Sequence, residues 1–216
     1  DLSLNKLYIP YMPYARQDRV TEVGGAFSLQ VIGNILDNLG FKSLVTLDVH
    51  SDVTNAVFKN TKFVNKVSDN YLSKFINTSE KTALLAPDQG AAKRVARAAA
   101  LHKVDSLMCF KERTPEGIKI TAPTAEQLSK YDTIIVYDDI CDGGATFIAL
   151  AKEIEKLMNI NLKLFVTHGI FSKGREELYK HYTKIITTDS WQDFDTVAVL
   201  KEKKLDVLSS PLMMRF

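Results

Sequence analysis

Short runs rich in β-branched and aliphatic residues alternate with amphipathic segments along this whole chain, and that alternation restricts the fold more than any single motif does. Strands are expected at residues 4–9 and 43–49, around a helix over 26–39 that closes at Gly40. The cycle then repeats with a strand over 82–86, a helix over 91–102 and a strand over 105–110. Next come a strand over 133–137, a helix over 146–158, a strand over 162–167 and a helix over 173–181, with short strands at 184–187 and 197–200. The run Thr133-Ile134-Ile135-Val136-Tyr137 is apolar on successive residues, as a strand covered on both faces requires. The expected class is therefore α/β, a mostly parallel sheet with helices on both faces.

A chain of 216 residues can build one large domain or two small α/β units. The βα rhythm restarts near residues 61–68, so two half-units are expected, 1–64 and 65–216. The chain begins at Asp1 and runs almost at once into Leu7-Tyr8-Ile9, which reads as a domain entered partway. With 28 basic against 26 acidic side chains, the net charge of +2 gives no field for nucleic acid, and any anion site must be local. Cys109 and Cys141 lack metal-site spacing, no apolar run is long enough to span a bilayer, and no signal-peptide pattern opens the chain. A cytoplasmic setting is the expectation.

After the buried strand comes Asp138-Asp139-Ile140-Cys141-Asp142-Gly143-Gly144-Ala145-Thr146, and then a helix. Ligands of doubly wound sheets sit beyond the carboxyl ends of the strands. Glycines let backbone approach a phosphate, and a helix start offers free N–H groups to an anion. Adjacent carboxylates accept hydrogen bonds from sugar hydroxyls or hold Mg²⁺ through water. A phosphosugar matches both halves of the motif. An isolated pair of aspartates or glycines would be an ordinary polar turn; the full run behind a buried strand is more specific.

Other candidates cluster at predicted strand ends. Arg16 and Arg19 flank Gln17 and Asp18, and guanidinium forks suit a triphosphate. His50 follows an apolar strand two residues beyond Asp48, which would orient it. Lys111 and Arg113 lie in a segment that Pro115 and Gly117 mark as a loop.

The aspartate–glycine run resembles the phosphoribosyl diphosphate loop shared by type I phosphoribosyltransferases and ribose-phosphate diphosphokinases. Further segments are similar to the diphosphokinases in particular: Pro13-Tyr14-Ala15-Arg16-Gln17-Asp18-Arg19, Thr46-Leu47-Asp48-Val49-His50, Pro87-Asp88-Gln89-Gly90 with Lys93 and Arg94 behind it, and Val166-Thr167-His168-Gly169-Ile170-Phe171-Ser172. The resemblance implies a type I phosphoribosyltransferase-like fold in two related half-units, the first incomplete. It also implies Mg²⁺-dependent diphosphate transfer from ATP to ribose 5-phosphate by a homo-oligomer, dimer or hexamer. By that resemblance Arg16, Gln17, Asp18, Arg19 and His50 bind ATP, and His50 and Asp88 serve the metal. Asp88, Asp138, Asp139, Asp142, Gly143, Gly144, Ala145 and Thr146 hold ribose phosphate, and Lys111 and Arg113 on a mobile flap carry catalysis.

Some positions depart from the family pattern. Gly143 stands for the usual Thr, Ala145 for the usual Gly, and Glu112 for a basic residue; Asp52 and Asn55 replace Ser and Gln of a regulatory pocket. The family's N-terminal portion and C-terminal tail have no counterpart in this sequence. Two rivals follow: a type I phosphoribosyltransferase running the same loop on phosphoribosyl diphosphate, or a non-catalytic regulatory homologue.

Overall fold

The structure is a computed structural model, and it describes residues 5–77, 79–115, 117–191 and 204–209. The chain divides into two compact units between Ser68 and Asp69.

In the first unit, β1 (Lys6–Tyr8), β2 (Ser43–Leu47) and β3 (Lys62–Lys66) form a parallel sheet in that order, with Tyr8 opposite Val45 and Val45 opposite Val64. The crossover helix α1 (Ser28–Asp37) lays Leu29, Ile32 and Leu36 on Leu44, with Met12, Val57 and Phe63 completing the core. A one-turn helix α2 (Val53–Ala56) follows β2. Gly33 is required because any side chain there would run into Val57. The strand β3 occupies a stretch expected to be a boundary: Lys62, Asn65 and Lys66 hide the apolar Phe63 and Val64 that pair it with β2.

The second unit opens with a 3₁₀ turn (Asp69–Lys74). It then runs β4 (Thr82–Ala86), α3 (Gln89–His102), β5 (Asp105–Met108), β6 (Phe110–Thr114), β7 (Gly117–Thr121) and α4 (Ala125–Leu128). There follow β8 (Thr133–Cys141), α5 (Ala145–Leu157), β9 (Asn161–Gly169), α6 (Glu176–His181), β10 (Lys184–Thr188) and β11 (Leu205–Leu208). Six of these strands form one parallel sheet in the order β11-β10-β9-β8-β4-β5. Alternate residues of the central strands divide between two cores: Leu85, Ile134 and Val136 meet Phe147, Leu150 and Ile154 of α5, whereas Leu84, Ile135 and Tyr137 meet Val95, Ala98 and Ala99 of α3. The helices thus lie on opposite faces, as right-handed crossovers leaving in opposite directions demand. Winding reverses between β4 and β8, which makes their carboxyl ends the place for a ligand.

Three sequence expectations change. The strand β8 continues past Tyr137 to Cys141, paired with β9 through Asp138–Val166 and Cys141–Gly169, so Asp138 and Asp139 are strand residues. The segment around Lys111, expected as a loop, is the antiparallel hairpin β6–β7, whose Ile120 packs into the α5 core. Helix α6 starts at Glu176, later than expected, because residues 170–174 form a tight loop with positive φ at Phe171 and Gly174. The strand expected at 197–200 lies outside the described residues.

At the end of α1, the Asp37 carboxylate accepts backbone N–H groups from Lys59, Asn60 and Thr61 at 2.7–3.1 Å. Burial works to raise its pKa, but the Thr61, Lys59 and Asn60 donors outweigh it and hold the group below the usual carboxylate range. A depressed folded-state pKa adds stability above the unfolded value of about 3.9 that is lost as pH falls through the folded value. Asp37→Ala is expected to lower stability by about 2 kcal/mol at pH 7. In urea titrations the gap to wild type should narrow by pH 3; an unchanged midpoint at pH 7 would contradict the assignment.

Candidate active site

In the first unit, the segment after β1 turns at Tyr14 with φ +59°, and Gln17 closes the turn by donating its N–H to the Tyr14 carbonyl at 2.9 Å. The Gln17 carbonyl in turn accepts the Leu29 N–H, fixing the segment to the start of α1. The Asp18 carboxylate accepts Arg19 Nε at 3.0 Å and the Ser51 hydroxyl at 2.7 Å. The Arg19 hydrogen bond, helped by Ser51 and by the Arg19 charge against modest burial, holds Asp18 below its ordinary pKa. The Asp18–Ser51 contact joins the segment after β1 to the residue next to His50, so two strand ends expected to act together are tied side by side. The side chains of Arg16, Gln17, Arg19 and His50 are exposed. Asp48, at φ +43° and fully buried, accepts the N–H and hydroxyl of Ser68. It anchors the turn that leads from β2 to His50.

In the second unit, Asp88 caps α3 in extended backbone, accepting the Ala91 N–H at 3.2 Å through one oxygen. The other oxygen pairs with the ammonium of Lys111 from β6. Two candidates 23 residues apart therefore meet, the strand-end aspartate of β4 and the flap lysine. The Arg113 side chain lies outside the described residues.

Across the winding switch, Asp139 is buried, and one of its carboxylate oxygens lies 3.8 Å from an Arg94 guanidinium nitrogen. Arg94 projects from α3, so helix and strand join their charges at the crevice. The Asp138 carboxylate accepts the Asp139 N–H at 2.9 Å. Desolvation, and then the adjoining Asp139 carboxylate, push Asp138 well above its ordinary pKa despite the Arg94 charge. One strand end therefore offers a carboxyl biased toward its neutral, donating form beside an acceptor that Arg94 pairs with, a combination suited to a diol. Burial pushes the thiols of Cys109 and Cys141 up to about 12, which leaves neither as a nucleophile at neutral pH.

Beyond β8, Asp142 accepts the Ser172 hydroxyl at 2.6 Å. Gly144 takes φ +78° directly before α5, the one loop position where a side chain would be strained. Gly143 and Ala145 lie outside that positive-φ set, so the two family departures fall where the backbone tolerates a side chain. No side chain caps α5, in contrast to the Asp88 cap of α3 and the capping box of Thr124 and Gln127 on α4. The Thr146 side chain is half-buried in the first turn.

Among the described residues no three of His, Cys, Asp and Glu gather as a metal cluster. Mg²⁺ keeps waters and often takes only one or two carboxylates besides substrate phosphates, and the hard oxygens of Asp88 fit that pattern once Lys111 leaves them.

No family model matches the chain. Curated relatives do: it is 28% identical over 187 residues to the ribose-phosphate pyrophosphokinase of Pyrococcus furiosus, covering 86% of this chain and 66% of that one. It is 26% identical over 211 residues to the Maricaulis maris pyrophosphokinase, covering 95% of this chain and 67% of that one. The crystal structure of phosphoribosylpyrophosphate synthetase from Mycobacterium smegmatis superposes with a TM-score of 0.75 at 21% identity, covering 94% of this chain and 66% of that one. The chain is a homologue of the ribose-phosphate pyrophosphokinases. It spans about two thirds of the length of these pyrophosphokinase relatives. The α/β architecture expected from the βα rhythm is that of a pyrophosphokinase-like fold.

The family-like segments in the sequence included Arg94 and Ser172 but gave neither residue a task, and Ser51 was missed. Arg94 stands six residues beyond the Asp88 cap, about one and two-thirds turns along α3. No local pattern marks Ser51.

A raised folded-state pKa means that the folded protein holds the Asp138 proton more tightly than the unfolded chain does. That contribution is intact below about pH 4 and is lost as pH rises through the folded value. Asp138→Asn, which keeps the shape and removes the charge, should stabilise the unliganded protein by about 1 kcal/mol at pH 7.5 and by little at pH 4. Thermal melts at both pH values test this; a variant less stable than wild type at pH 7.5 would contradict it.

Proposed function

We propose that this chain catalyses Mg²⁺-dependent transfer of the β,γ-diphosphate of ATP to the 1-hydroxyl of ribose 5-phosphate. The products are phosphoribosyl diphosphate and AMP. The observation that carries the reading is the meeting of Asp88, Lys111, Arg94, Asp138 and Asp139 at the winding switch of a sheet whose next turn is a glycine-bearing phosphate loop. The names of the relatives supply the substrate class.

The ribose oxygen attacks the β-phosphorus, the bond to the α-phosphate oxygen breaks, and AMP departs with that oxygen. Such a reaction asks the protein for positioning and charge neutralisation rather than for a covalent intermediate. Asp138 and Asp139 bind and orient the ribose hydroxyls, with Arg94 paired to Asp139. Asp142, Gly143, Gly144, Ala145 and Thr146 hold the 5-phosphate, and Arg16, Gln17, Asp18, Arg19 and His50 bind ATP. Mg²⁺, for which Asp88 of the second unit and His50 of the first are each a candidate ligand, would supply further neutralisation of the transferred group. Lys111 exchanges Asp88 for the charge that builds on that group, and Arg113 assists it.

The setting that goes with this reading is the cytoplasm, as a homo-oligomer, dimer or hexamer. No helix among the described residues is long and apolar enough to cross a membrane. A phosphoribosyltransferase would share the loop but has no use for the paired strand-end segments at Arg16 and His50. A regulatory homologue has no use for a lysine carried on a hairpin to the strand-end aspartate.

Lys111→Ala should lower kcat by roughly two to four orders of magnitude. Dissociation constants for ATP and ribose 5-phosphate, measured by calorimetry without turnover, should barely move, and neither should the melting temperature. AMP formation by the variant at near wild-type rate would remove Lys111 from the catalytic apparatus.

A further inference from the structure

The loop that the proposed function gives to the 5-phosphate has a charge problem. Of Asp142, Gly143, Gly144, Ala145 and Thr146, the one ionisable side chain is an acid, and Asp138 and Asp139 lie just upstream. Arg94 is engaged with Asp139, and Lys111 with Asp88. A sugar phosphate carries between one and two negative charges at neutral pH, so backbone N–H groups alone would have to hold it beside the acids Asp139 and Asp142.

The neighbouring loop supplies a cation. Residues 170–174, between β9 and α6, are strapped to the phosphate loop by backbone N–H donation from Ile170 and Phe171 to the Cys141 carbonyl at 2.9 and 3.1 Å. Ser172 adds its own N–H to the Asp142 carbonyl at 3.1 Å. The Ser172 hydroxyl on the Asp142 carboxylate completes the strap. Positive φ at Phe171 and Gly174 brackets Ser172 and Lys173 in a tight turn, closed by the Gly174 N–H on the Phe171 carbonyl at 2.8 Å. The outcome is visible at Gly143: a Cβ built there would lie 3.5–3.6 Å from Cγ, Cδ and Cε of Lys173. The lysine stem runs along the bare face of the glycine, with its ammonium one bond beyond Cε. Glu177, an acid on the adjoining helix, is paired with Lys180, and Lys173 has no ion-pair partner among the described residues.

We infer that Lys173 is a substrate-binding residue, its ammonium gripping the phosphate of the phosphosugar over Gly143. This rests on the reading of the loop as the ribose 5-phosphate site. Gly143 leaves the loop without a hydroxyl at that position and opens a flat surface for the lysine stem. Phosphate recognition thus passes from a side-chain donor on the loop to a charge on the next βα turn. Lysine binds phosphate as a point charge, so its contribution falls with salt and survives replacement by arginine better than by an uncharged residue of similar size.

The test is calorimetry on the full chain with ribose 5-phosphate, ribose and ATP as separate probes, for wild type, Lys173→Met, Lys173→Arg and Lys180→Met. The expected result is a roughly tenfold or greater weakening of ribose 5-phosphate binding in Lys173→Met. Lys173→Arg should recover most of it, and Lys180→Met, which removes another exposed charge, from α6, should bind as wild type does. Affinity for ATP and for unphosphorylated ribose should be the same in all four proteins. If wild type binds ribose 5-phosphate and Lys173→Met binds it equally well, the role of Lys173 is overturned while the proposed function stands. Weakening of equal size in Lys180→Met would also overturn it, by reducing the effect to general surface charge. If wild type binds no ribose 5-phosphate, the functional reading fails and takes this inference with it.

Discussion

Parallel pairing of β4 with β8 is the interaction on which the rest of the second unit depends. Both strands are sealed from water, with Ala83 to Ala86 and Ile134 to Tyr137 at no more than 1% exposure. Sealing needs a helix on each face, and a right-handed crossover can place α3 and α5 on opposite faces only if the chain winds away from this pair in both directions. The crevice beyond the two strands is thus a consequence of burying them. The charged candidates paired at the crevice stand on elements set by that choice: Asp88 at the end of β4, Arg94 on α3, Asp138 and Asp139 in β8, and Lys111 on the hairpin that follows β5.

Charge at the crevice is paired, Asp88 with Lys111 and Asp139 with Arg94. Asp88 carries both a helix cap and an ion pair, and its two oxygens divide the tasks. Under the proposed function, a cation or a sugar hydroxyl arriving at Asp88 would compete with Lys111 and free the lysine for the incoming phosphates. Asp138 is held where its own charge is unfavourable, which costs folding stability at neutral pH and yields a carboxyl able to donate as well as accept.

Much of this was legible in the sequence, and the exceptions have physical causes. The βα rhythm located β4, β8, β9 and β10 because buried parallel strands are written as continuous apolar runs. The end of β8 was misjudged because Asp138 and Asp139 look like a loop, whereas backbone pairing to β9 extends through them regardless of side-chain polarity. The strand β3 escaped notice because a three-stranded sheet buries only Phe63 and Val64 of it in part, behind lysines at both ends. The Asp88–Lys111 pair, the Asp18–Ser51 bond and the seat of Lys173 over Gly143 join residues on separate elements, and no local pattern encodes such contacts. The sequence could say that Gly143 lacks a hydroxyl. It could not say that a lysine from another turn lies in the space.

The central claim is the proposed reaction, transfer of a diphosphate from ATP to ribose 5-phosphate. The direct measurement is chromatographic quantitation of AMP and phosphoribosyl diphosphate after incubating the protein with Mg²⁺, ATP and ribose 5-phosphate. The account expects the two products in equal amounts, with AMP formation strictly dependent on ribose 5-phosphate and on the divalent cation. Absence of AMP, together with diphosphate release from phosphoribosyl diphosphate when a nucleobase is added, would contradict it and assign the same loop to a phosphoribosyltransferase.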